Sequence, residues 1–78
     1  MTFDEYQTDA SRTSAPHWRH ADRLANAAIG LCGESGEVAE LVKKQLFHGK
    51  AHDSARLAEE VGDVLWYVAE VCTVAGLN

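Results

Sequence analysis

The stretch Leu31-Cys32-Gly33-Glu34-Ser35-Gly36-Glu37-Val38-Ala39-Glu40-Leu41 decides the fold, together with its later counterpart Glu60-Val61-Gly62-Asp63-Val64. Each holds two carboxylates three residues apart, Glu34 with Glu37 and Glu60 with Asp63. On a helix that spacing is about 60° of rotation and nearly one turn of rise, so both acids of a pair reach one point. Glu34 also shares a helical stripe with Leu31, Val38 and Leu41, and Glu60 sits among Leu57, Val64, Tyr67 and Val71. A carboxylate interrupting an apolar stripe is drawn toward the core. Four such groups together cannot stay ionised without a compensating cation. The pattern predicts a divalent metal site between two helices.

Outward from the first pair, the pattern is helical from about His20 to Phe47, with Leu24, Ala28, Leu31, Ser35, Val38 and Val42 at steps of three and four. Gly30, Gly33 and Gly36 interrupt it, each costing roughly 1 kcal/mol relative to Ala inside a helix. Their spacing predicts one shallow, slowly drifting groove beside Glu34 and Glu37. A helix break across this stretch is the alternative. Gly49 is placed to cap the end in a left-handed conformation. Lys50-Ala51-His52 reads as a loop, and Asp53 or Ser54 as the next N-cap. The following helix runs from Ala55 to about Ala75 and is closed by Gly76-Leu77-Asn78. It carries two apolar stripes: Val61, Leu65, Val68 and Cys72 on one, Leu57, Val64, Tyr67, Val71 and Val74 on the other. So wide a surface implies more than one neighbouring helix.

Ahead of the hairpin, Thr2-Phe3-Asp4-Glu5 reads as a capping box. It opens a short helix to about Arg12, with Phe3, Tyr6 and Ala10 as its apolar face. Pro16 restricts Ala15 and predicts a turn there. The expected fold is all-α: a helical hairpin with a short N-terminal helix, one domain over residues 1–78, completing a four-helix bundle by dimerisation. Self-association is expected because a hairpin in a 78-residue chain cannot cover both of its apolar sides.

Charge narrows the function. The net charge of -5 argues against a duplex nucleic-acid binder, which would need a basic face, and the acidity is local, with seven of the twelve Asp and Glu between residues 34 and 63. No apolar run approaches a membrane-spanning length and the N-terminus is polar, so a cytoplasmic protein without a membrane partner is expected. Cys32 and Cys72 form no Cys-x-x-Cys pair and are expected as buried free thiols, in keeping with a reducing compartment.

Hard divalent cations take oxygen ligands, and two antiparallel helices each offering an acidic pair suit Mg²⁺, with Mn²⁺ as the substitute. A di-iron bundle would need Glu-x-x-His motifs, and the position three beyond each leading acid is Glu37 or Asp63 instead. Gly33-Glu34-Ser35-Gly36 is neither a nucleophile elbow nor a phosphate loop, for position 37 is Glu37 and no Gly-Lys-Ser/Thr ending follows. His17, His20, His48 and His52 fall near helix ends, as surface or capping residues do. The competing structural reading makes the acids a solvated face laced to Lys43, Lys44 and Arg56. If the carboxylates hold metal-bound phosphates, Lys44, about two turns beyond Glu37, reaches an outer phosphate, and Trp66 or Tyr67 forms a wall against which a base stacks.

The run Leu31-Cys32-Gly33-Glu34-Ser35-Gly36-Glu37-Val38-Ala39-Glu40, followed by Glu59-Glu60-Val61-Gly62-Asp63-Val64-Leu65-Trp66-Tyr67, resembles the all-α nucleoside triphosphate pyrophosphohydrolases of the MazG type. Phe3-Asp4-Glu5-Tyr6-Gln7 and the stretch from Lys43-Lys44 to His48-Gly49 are similar as well. The resemblance implies cleavage of a nucleoside triphosphate, or its deoxy form, between the α and β phosphates, a house-cleaning of the nucleotide pool. It implies Glu34, Glu37, Glu60 and Asp63 as metal ligands, with Glu37, or else Glu34, activating water. It also implies Tyr67 at the nucleotide, Trp18 and Asn26 near the base, and homodimers or homotetramers. Relatives continue past the position of Asn78 into a further helix with basic residues, so a fragment or shortened form is expected. The alternative to an enzyme is a non-catalytic oligomerisation module that keeps an acidic metal site; a third reading is a partner-binding bundle with no metal dependence.

Overall fold

A computed structural model describes residues 1–14, 19–49, 51 and 53–77. They form three helices, α1 (Phe3–Ser11), α2 (His20–Phe47) and α3 (Ser54–Ala75), and among the described residues there is no strand. The expected turn at Pro16, the loop positions Lys50 and His52, and Asn78 lie outside the described residues.

The helix ends form as local chemistry dictates. The Thr2 hydroxyl accepts from the Glu5 backbone N–H at 3.1 Å while the Glu5 carboxylate accepts from the Thr2 N–H at 3.1 Å, closing the capping box. At the head of α3 the Asp53 carboxylate accepts from the Arg56 N–H at 3.0 Å. Gly49 and Gly76 take φ of 68° and 72°, the left-handed region that glycine enters without a Cβ penalty.

Helix α2 runs unbroken through Gly30, Gly33 and Gly36. The packing energy of a long amphipathic helix outweighs three propensity losses of about 1 kcal/mol each. Its inward line differs from one of the two stripes read from the sequence. Ala27 is fully buried and Leu31, Glu34, Val38 and Leu41 are half-buried, whereas Ala28, Ser35 and Val42 face outward.

Helix α3 is the centre of the molecule, packing against α2 on one side and α1 on another. Its contacts with α2 come in antiparallel order, Arg23 meeting Glu70, Gly30 meeting Tyr67 and Glu34 meeting Glu60. Helix α1 lies antiparallel along the C-terminal half of α3. There the Gln7 amide donates to the Leu77 carbonyl at 3.0 Å and the Trp66 indole to the Thr13 hydroxyl at 2.8 Å. Ala10 and Ala69 are the buried small residues that let the two backbones approach. Phe3, expected on the inner face of α1, is instead exposed.

One side of the hairpin stays uncovered. Val42 and Leu46 of α2 and Val61 and Leu65 of α3 are 39%, 64%, 41% and 45% exposed. Right-handed helices packed antiparallel bring these four residues to the same side, opposite the side toward which Asp63 projects. Cys32, expected buried, is exposed on α2, and Cys72 is half-buried; neither forms a disulfide.

Candidate metal centre

The seam between α2 and α3 carries the acids. Glu34 is half-buried and Glu60 only 8% exposed. One carboxylate oxygen from each of Glu34, Glu60 and Asp63 falls within 4.8 Å of the others. Two come from one helical turn of α3 and the third from the facing turn of α2, which only antiparallel register brings opposite. Three hard oxygen donors, with no His or Cys among them, fit Mg²⁺ or Mn²⁺.

The electrostatics of the cluster record its crowding. The carboxyl of Glu34 is held above its ordinary value, first by a hydrogen bond to Glu60 and next by desolvation. The negative charges of Asp63, Glu60 and Glu37 add to the shift. Like charges close by disfavour the ionised form of Glu34, so its carboxyl keeps its proton to higher pH. Glu60 has a counter-charge in the Arg56 guanidinium, whose Nε donates to Oε1 at 3.4 Å.

The other site residues proposed from the sequence take different places. Glu37 is exposed and stands outside the three-carboxylate group, although its charge reaches Glu34. Tyr67 is half-buried with its ring over Gly30 and edge-on to Trp66, ring centroids 5.1 Å apart. That fills the Gly30 end of the expected groove, while Gly33 and Gly36 have open space where a Cβ would stand. Lys44 is exposed, with its ammonium 4.0 Å from Glu40, and lines a cleft with Leu41, Asp53 and Leu57 at the loop end of the hairpin. Asn26 is exposed, and Trp18 lies outside the described residues. Asn26, Gly33, Glu37 and Lys44 nonetheless share one strip of α2, on the side of the hairpin toward which Asp63 projects.

Sequence reasoning missed a second polar constellation. Glu70 is 5% exposed and accepts at Oε1 from the Ser14 hydroxyl at 2.6 Å and from Arg23 Nη2 at 3.3 Å. It fastens the exit of α1 and the first turn of α2 to α3. Its signal was available: a lone acid, Glu70, between Ala69 and Val71 in the most apolar part of the chain.

The fold and this cluster define a class, a protein all-helical over its described residues with an acidic cluster in the seam of a hairpin that could hold a metal ion. Residues 24–77 match the family described as MazG nucleotide pyrophosphohydrolase domain, and the chain belongs to that family. It is also similar to the Gene 37 protein of Mycobacterium phage L5, 39% identical over 79 residues that cover 91% of this chain and 69% of that protein. No solved structure gave a match.

Proposed function

We propose that the chain hydrolyses nucleoside triphosphates, or their deoxy forms, between the α and β phosphates, with Mg²⁺ as its cation and Mn²⁺ as the substitute. The observation that carries this reading is the convergence of Glu34, Glu60 and Asp63 within 4.8 Å in a chain of this family. These three would hold the ion. When bound, it supplies charge neutralisation at the phosphate oxygens and acidifies water.

The chain's own residues do the rest. Glu37, one turn along α2 and outside the ligand group, is free to orient the attacking water and accept its proton. Glu34, engaged with Glu60, is committed to the ligand set. The strip from Asn26 through Gly33 and Glu37 to Lys44 gives the substrate its floor. Gly33 lets it approach the backbone, and Lys44 meets the outer phosphate at the loop end. Trp66 and Tyr67 wall the opposite end, where the base belongs. The physiological role is sanitation of a nucleotide pool, in the cytoplasm. Among the described residues no helix is long and apolar enough to cross a membrane.

Two copies pairing through the uncovered side of the hairpin would complete a four-helix core. The exposure of Val42, Leu46, Val61 and Leu65 supports this. Sedimentation of the protein and of Leu65→Glu checks it: a monomer in both cases defeats the pairing.

The deciding experiment measures monophosphate and pyrophosphate from a panel of nucleotides, with and without Mg²⁺. The expected result is Mg²⁺-dependent release of both products, abolished in a folded Glu60→Gln variant. Orthophosphate as the product, or turnover indifferent to Glu60, defeats the proposal.

A further inference from the structure

Arg56 occupies a position that helix stability does not explain. It is the third residue of α3, directly after Ser54 and Ala55, where a cation opposes the helix dipole. Its pairing with Glu60 also runs in the weaker order, cation four residues before anion. The Arg56 side chain is 52% exposed and meets Glu60 through Nε at a long 3.4 Å, whereas the Glu60 side chain is 11% exposed. A buried carboxylate needs a compensating charge far more than an exposed arginine does. The pair therefore exists for Glu60.

We propose that Arg56 is the resident counter-ion of Glu60 and that a divalent cation must displace it to enter the cluster. The inference rests on the metal-site reading above. Among the described residues, Glu60 is the acid of the three that carries an arginine bond. A dication drawn to its oxygens repels a guanidinium already there, and the Arg56–Glu60 bond, half in solvent, is the weakest link in the arrangement. Arg56 thus lowers the affinity of the site for a free ion while supplying Glu60 with a compensating charge when no ion is bound.

The test is Mn²⁺ binding without nucleotide, followed by electron paramagnetic resonance, for the intact protein, Glu60→Gln, Arg56→Gln and Arg56→Lys. Arg56→Gln is expected to bind Mn²⁺ about three- to ten-fold more tightly, and Arg56→Lys to stay near the parent, because the charge remains. In the unmodified ¹⁵N-labelled protein, the Arg56 Nε–Hε signal should shift and exchange faster with solvent as Mg²⁺ is added. Unchanged or weaker Mn²⁺ binding in folded Arg56→Gln overturns the proposal, as does an Nε–Hε signal indifferent to Mg²⁺. If the parent binds Mn²⁺ and Glu60→Gln does not, such a result removes the role of Arg56 alone. If Glu60→Gln binds as the parent does, the metal site itself falls, and this inference with it.

Discussion

The ring of Tyr67 lies over the backbone of Gly30, in the volume that a Cβ at position 30 would occupy. Gly30→Ala should therefore destabilise the fold by about 1–3 kcal/mol through overpacking, although the helix propensity of Ala alone favours it by about 1 kcal/mol. Gly33→Ala, with open space at the Cβ, should stabilise by about 0.5–1 kcal/mol. Urea unfolding followed by circular dichroism reads both, and the same sign at the two positions would contradict the packing described.

The raised pKa of Glu34 makes the metal-free protein sensitive to pH. The folded state holds this proton more tightly than the unfolded state does. Its stabilising contribution is complete below the ordinary value of 4.5 and is lost as pH rises through the folded-state value above it. Thermal unfolding in chelator should show the melting temperature falling across that window, and Glu34→Gln should remove that component of the fall. A parent and a Glu34→Gln curve with the same slope would count against the raised pKa of Glu34.

Mg²⁺ should reverse the trend, because a cation binds the ionised cluster and competes with the proton. The rise in melting temperature on adding Mg²⁺ is expected to be larger at pH 7 than near pH 4.5, the ordinary value for Glu34, and to vanish in Glu60→Gln. A shift equal at both pH values places the ion elsewhere.

The Glu70 constellation is structural, and its energetics can be separated from catalysis. Glu70→Leu leaves Arg23, 20% exposed at its side chain, without its anion and should cost about 2–4 kcal/mol. Adding Arg23→Met should recover part of that loss, since two apolar residues no longer strand a charge. Ser14→Ala should cost about 1–2 kcal/mol by removing the 2.6 Å bond to the carboxylate. A double-mutant cycle with no coupling would show that the pair is incidental.

What the sequence determined by itself is everything set within about one helical turn. The capping box at Thr2 and Glu5, the Asp53 cap, the left-handed Gly49 and Gly76, the helix boundaries and the pairing of acids at intervals of three were legible because their causes are local. Glu34 and Glu60 could be singled out for the same reason, as charges interrupting apolar stripes. Tertiary structure decided which side of each helix faces in. On α2, apolar and small residues cover more than half the circumference, so periodicity alone left Ala28, Ser35 and Val42 as plausible core as Ala27 and Leu41. Only the rotation and register of α3 choose between them. That same register brings Asp63 into the cluster while Glu37 stays outside it, sets Tyr67 on Gly30, and pairs Arg23 with Glu70 across 47 residues of chain. No local rule carries such information, because contacts between helices depend on how two rods are turned against each other.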